Sequence, residues 1–282
     1  MIQKREEGNP RFNVLIVGAG KQGAWSDAPG SGNEHKIISF AHAFKEHPGF
    51  ELIGFVDSDY SAAQKAILTW GGCNTTIPCV FKERNVDVVV VATPDDTHYE
   101  ILKQLAEYPL RLVICEKPIT TDLQQAREIV ELYKAKGIPL MVNYTRRFLP
   151  YYEDLKQRYE AGEFGRLLKA NVFFNRGMLH TGTHAIDFYN WFVMDKDKLE
   201  HVFRIEELKG DYAYRIWQID LFFKKHHWRE ERIGDMPVWQ YYDKSHWYVV
   251  ENAFNFLEGK ELLKCTGEDG LRALEICFEV GG

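Results

Sequence analysis

The stretch that decides the fold is Phe12-Asn13-Val14-Leu15-Ile16-Val17-Gly18-Ala19-Gly20-Lys21-Gln22-Gly23. An apolar, β-branched run stops abruptly at glycine, and Gly18, Gly20 and Gly23 fall in a G-x-G-x-x-G pattern. The first glycine permits a tight turn, the second lets the backbone approach a pyrophosphate, and the third allows close packing of the following segment. The pattern alone is weak; a strand before it and a βαβ array after it are its confirming context.

That array can be read along the chain. Glu51–Val56 is a second strand-like run, Val86–Ala92 is nearly all valine, and Arg111–Cys115 and Leu140–Tyr144 follow. Between them, Lys36–Glu46, Ser61–Trp70, Tyr99–Glu107 and Asp122–Lys136 carry helical spacing. The last of these has Asp122 at its start and Gly137 just past its end, which are start and stop signals. A run such as Val88-Val89-Val90-Val91 is what a central parallel strand, covered on both faces, requires. The alternation predicts an α/β Rossmann domain with a doubly wound parallel sheet over residues 1–145.

An acid ending the second strand is the usual partner of the glycine loop, and Asp57 is there. It follows at a longer interval than the usual ~20 residues. The Gly-, Pro- and Ser-rich segment Ala24–Glu34 accounts for the difference as a loop inserted before the first helix. Asp57 would accept hydrogen bonds from ribose hydroxyls and repel a 2′-phosphate, which favours NAD and leaves NADP possible only with a neighbouring cation.

The rest of the chain changes character. Tyr151–Glu160 reads as a helix, and Leu167–Asn175, Phe203–Leu208 and Ala213–Phe223 read as strands without helices between the later ones. This predicts an α+β domain with a mostly antiparallel open sheet over residues 146–282. His226–Trp247 has no readable pattern.

Composition narrows the classes. The chain has 282 residues, a net charge of −6 and 14% aromatic residues. That length suits one or two domains with a real core. The mild acidity argues against a nucleic-acid partner. No apolar run approaches the ~18 residues of a membrane span. Five cysteines, without C-x-x-C spacing, and a polar opening segment read as a cytoplasmic protein with reduced thiols.

Three further motifs carry a resemblance: Ala92-Thr93-Pro94 followed by His98, Glu116-Lys117-Pro118, and Gly182-Thr183-His184 followed by Asp187. With the glycine loop, this set resembles the Gfo/Idh/MocA family of oxidoreductases. The resemblance implies hydride transfer between nicotinamide and a hydroxyl- or keto-bearing carbon of a sugar, cyclitol or nucleotide-sugar, in a homo-oligomer (dimer or tetramer). It implies Lys117 and His184 as catalytic groups. An ammonium stabilises developing alkoxide charge, and an imidazole near neutrality exchanges the proton. Family members often carry an acid where this chain has His180, which is then the candidate to share the proton relay.

The resemblance further implies cofactor contacts from Gly18, Gly20, Lys21, Gln22, Gly23, Asp57, Thr93, Pro94, His98, Glu116, Lys117 and Arg146, with Arg147 as the alternative to its neighbour. Trp191, Tyr241 and Trp247 are candidates to stack on a sugar face. No metal set is expected: His180 and His184 are four apart, but Gly182 interrupts the helix that would align them. Two other functions share these motifs. One is a hydrolase or lyase that retains NAD and oxidises one sugar carbon transiently. The other is a sensor that binds dinucleotide or sugar without catalysis.

Overall fold

The computed structural model describes residues 11–193, 202–207, 216–233 and 240–281. The first part runs β1 (Phe12–Val17), α1 (Phe40–Glu46), β2 (Phe50–Val56), α2 (Tyr60–Trp70), β3 (Cys73–Asn74), α3 (Ile77–Glu83), β4 (Val88–Val91), α4 (His98–Leu105), β5 (Leu112–Glu116), α5 (Leu123–Lys136) and β6 (Leu140–Asn143). Its strands form one parallel sheet in the order β3-β2-β1-β4-β5-β6. The order reverses beside β1, and that is the topological switch point where open α/β sheets bind ligands at the strand ends.

Local rules explain the elements. All four valines of β4 are buried, as a strand between β1 and β5 with both faces covered demands. In α5 the Asp122 side chain accepts the Gln125 N–H at 2.8 Å, and Gly137 closes the helix in the left-handed conformation. Its apolar stripe buries Ala126, Ile129, Val130 and Tyr133.

The second part runs α6 (Pro150–Glu160), β7 (Leu167–Phe174), α7 (Thr183–Val193), β8 (Val202–Glu207), β9 (Ile216–Phe223), β10 (His227–Ile233), α8 (Ser245–Leu257) and α9 (Gly267–Gly281). A second sheet has the order β10-β9-β7-β8. Strand β9 is antiparallel to both neighbours, while β8 runs parallel to β7. Helices α6 and α7 pack aromatic side chains against it: Phe188 lies 5.5 Å from Tyr152 and 5.8 Å from Trp228 between ring centroids. The aromatic richness of this part is thus largely core. His226 and His227 part ways, one stacking on Phe164 and the other on Phe222.

The chain forms two compact units, and they interleave in sequence. One comprises Met1–Asn143 with Asp243–Gly267, the other Tyr144–Tyr242 with Glu268–Gly282. A simple division at residue 145/146 is therefore corrected: residues 243–267 return to the first unit. The reason is the apolar face of α8. It buries Val249, Val250 and Ala253, and sets Phe254 against Phe12 and Phe50 at 6.2 and 5.9 Å. Beyond α8, Cys265 accepts the Val142 N–H at 3.2 Å and Thr266 bridges Met141, which covers the exposed edge of β6. Among the described residues no helix is long and apolar enough to cross a membrane.

Candidate functional site

In the first unit the candidate residues gather at the carboxyl ends of β1, β2, β4 and β5. Gly18 has φ +100°, and a Cβ there would lie 2.5 Å from the Ala92 carbonyl oxygen of the next strand's end. A Cβ on Gly23 would lie 1.9 Å from the Gly18 oxygen. These two glycines are fixed by sterics inside the loop. Gly20 differs: a Cβ there meets nothing within 4 Å, so its open side is free for a ligand to approach. Lys21 and Gln22 are exposed beside it. A single π-helical turn, Lys21–Trp25, follows the loop in place of a full helix.

The inserted loop continues to Ser39, so α1 starts later than its periodicity predicts. Asp27 is the cause. Its buried carboxylate accepts the N–H groups of Ile38 and Ser39, at 2.5 and 2.9 Å, and the Ser39 hydroxyl. Ser39 then caps α1.

Asp57 sits at the end of β2. Its Oδ2 accepts the Ala19 N–H at 2.7 Å and its Oδ1 the Asp59 N–H at 2.8 Å. The acid is thus tied to the glycine loop, with acceptor capacity remaining on a half-exposed carboxylate.

At the end of β4, Thr93 is half-buried and Pro94 exposed. His98, a candidate cofactor contact, is fully buried. Its Nδ1 lies 2.8 Å from the Pro118 oxygen and its Nε2 3.0 Å from the Thr93 oxygen. It braces the turn after β4 against the turn after β5. Glu116 ends β5, Lys117 follows it, and both are largely buried. The Lys117–Pro118 peptide is cis. Asn143, which the sequence reading passed over, donates from Nδ2 to Glu116 Oε1 at 2.7 Å. Burial pushes the Glu116 carboxyl up, and this amide and the Lys117 charge hold it back.

The second unit holds the remaining candidates. His180 is exposed in the π turn Met178–Gly182, and His184 is half-buried in the first turn of α7. The His184 ring stands edge-on to Tyr144 with centroids 5.8 Å apart. The Arg146 guanidinium lies over the Tyr242 ring at 5.8 Å.

Arg147 has a different task. It is buried and grips Asp187 through Nε at 3.0 and 3.1 Å and Nη2 at 2.8 Å, while Nη1 reaches Asp269 at 3.0 Å. Burial pushes the Asp187 carboxyl up to about 6 against the pull of Arg147. This pair ties the turn at 145–148 to α7 and α9. Of the stacking candidates, Trp191 lies under the Lys156 ammonium, Trp247 packs on His47 in the first unit, and the Tyr241 side chain lies outside the described residues.

Residues 12–144 match a family model described as the Gfo/Idh/MocA oxidoreductase family, NAD-binding Rossmann fold. Over that stretch the chain resembles the Gfo/Idh/MocA family. Its first unit is accordingly an NAD-binding Rossmann domain, and the open face at Gly20 fits the close approach that NAD needs.

Among similar proteins, inositol 2-dehydrogenase 4 of Saccharopolyspora erythraea is 36% identical over 163 residues, 57% of this chain and 44% of that protein. The match thus spans under half of that relative's length. Solved structures extend the likeness in fold over both units. Myo-inositol dehydrogenase from Corynebacterium glutamicum has a TM-score of 0.74 at 18% identity, covering 95% of each chain. WlbA dehydrogenase from Bordetella pertussis, in complex with NADH and UDP-GlcNAcA, has a TM-score of 0.75 at 18% identity, covering 96% of this chain and 94% of that one.

Neither Asn143 nor Asp27 falls within the motifs that mark the site. Asn143 can be found only from the pairing of Glu116 with Asn143 across β5 and β6, and Asp27 only from where the inserted loop folds back.

Proposed function

We propose that this protein is an NAD-dependent oxidoreductase that moves a hydride between nicotinamide and the hydroxyl-bearing carbon of a cyclitol or sugar. The observation that carries this reading is the placement of Lys117 at the end of β5, on the same sheet edge as the glycine loop and Asp57. The inositol dehydrogenase among its relatives supports a cyclitol as the substrate class.

Bound NAD supplies the hydride acceptor. The open side of Gly20, with the flanking Lys21 and Gln22, receives the pyrophosphate, and backbone N–H groups at such a loop favour negative charge. Asp57 accepts the ribose hydroxyls, which sets NAD above NADP. Thr93, Pro94 and Glu116 shape the strand ends beside the cofactor.

The Lys117 ammonium donates a hydrogen bond to the reacting oxygen and stabilises alkoxide charge as the hydride leaves. On the second unit, His184 in the first turn of α7 and the exposed His180 before it are the groups proposed to take up the released proton.

The test is steady NADH formation from NAD and myo-inositol, followed at 340 nm. Lys117→Ala should lower kcat by roughly 10²–10³-fold, the scale for losing an oxyanion donor, with NAD affinity nearly unchanged. Unaltered turnover in that variant would sink the assignment. Tightly retained NAD with no net absorbance change would favour transient oxidation instead.

A further inference from the structure

Strand β6 is apolar until its last residue. Leu140, Met141 and Val142 are buried, and then Asn143 is buried as well, at 2% exposure. Its rung partner on β5 is Glu116, another buried polar residue. Burying a carboxylate beside a carboxamide is costly unless their hydrogen bonds are made, so packing alone does not select such a pair. Here the bond is made, from Asn143 Nδ2 to Glu116 Oε1 at 2.7 Å.

The Glu116 carboxylate also accepts the backbone N–H of Lys117 and feels its ammonium charge. Lys117 lies one residue past the end of β5, where ladder pairing has stopped. The side chain before it therefore does what the ladder no longer does.

We propose that Asn143 is a positioning residue for Lys117, acting through Glu116. The residue type suits the task. A carboxamide donates to the carboxylate without a charge of its own, so it fixes Glu116 and leaves the negative charge to the Lys117 ammonium. An arginine or lysine there would compete for that charge, and an aspartate would repel it. Asn143 touches none of the reacting atoms in this role. It sets where the Lys117 peptide sits, and through it the root of the ammonium-bearing side chain.

The proposal rests on Lys117 being the group that stabilises the alkoxide, and two measurements separate it from that reading. The first is amide hydrogen exchange of the full chain with NAD present, in which Asn143→Ala should speed exchange at Lys117 roughly tenfold or more while Leu112–Ile114 keep their protection. Unchanged exchange at Lys117, or uniform acceleration along β4, β5 and β6, would overturn it. This arm needs no substrate.

The second is a double-mutant cycle on myo-inositol turnover. Asn143→Ala should lower kcat about tenfold, leave the KM for NAD within about twofold, and add nothing to the loss in Lys117→Ala. Losses that multiply would overturn the proposal while sparing the role of Lys117. Normal turnover in Lys117→Ala would overturn both. If Asn143→Ala fails to fold, the isosteric Asn143→Asp takes its place and should show the same exchange signature at Lys117.

Discussion

The Asp57 carboxylate accepts the backbone N–H of Ala19 at 2.7 Å, so the acid that ends β2 is part of the framework of the glycine loop. Its removal takes away a charge-assisted bond worth about 1.5–3 kcal/mol along with the ribose acceptor. Asp57→Ala is expected to weaken NAD by at least roughly tenfold and NADP by less. Titration calorimetry with both dinucleotides checks this, and equal losses would remove Asp57 from the ribose site.

The loop glycines should separate into two kinds. Gly18→Ala forces a Cβ to 2.5 Å from the Ala92 carbonyl at φ +100°, so it should destabilise the fold by several kcal/mol and lower the melting temperature sharply. Gly20→Ala meets no neighbour, so the melting temperature should stay within a degree or two of wild type, at the scale of ordinary surface changes. NAD binding should still weaken in Gly20→Ala, because the new methyl group fills the face a pyrophosphate approaches. A Gly20→Ala protein with full NAD affinity would place the pyrophosphate elsewhere.

Arg147 and Asp187 form a buried pair, 3% and 1% exposed at their side chains. Deleting one partner strands the other charge, at a cost of about 3–5 kcal/mol. Arg147→Met should therefore be strongly destabilising, and Arg147→Met with Asp187→Leu should recover much of the loss. Urea denaturation of the single and double variants tests the difference. A double variant as unstable as the single one would assign the pair a role beyond mutual neutralisation.

His246 sets an acid limit on stability. Burial against Phe40 holds its imidazole down at about 4, with Asp27 pulling weakly the other way. The unfolded chain therefore binds a proton there, between about pH 6.5 and 4, that the folded chain refuses. The stability is present above pH 6.5 and is lost as pH falls to 4, by up to about 3 kcal/mol. His47 adds a loss of the same sign, since burial also lowers it despite Glu251. Thermal melts of His246→Gln across this range should show a flatter pH dependence than wild type; identical slopes would exclude His246 as the source.

How much of this was legible beforehand varies by element. The valine strand, the Asp122 and Gly137 signals of α5 and the glycine loop were each readable, because each is a local rule about sterics, capping or burial. The start of α1 was misplaced because Asp27, far back in the inserted loop, holds the residues before it. The return of α8 to the first unit was unreadable, since an apolar helix face does not name its partner. His98 shows the same limit within a motif. Its place after the β4 turn is local, but only the folded chain turns both ring nitrogens toward main-chain carbonyls and buries them.

By itself, then, the sequence determined the doubly wound sheet and the glycine loop that follows its first strand. These follow from short-range periodicity and backbone sterics, which a linear chain carries in full. Tertiary structure decided which residues answer to one another: Arg147 to Asp187, Asn143 to Glu116, and α8 to the first sheet. Such pairings depend on strand register and on closing loops between distant segments, and those are set by packing the whole unit.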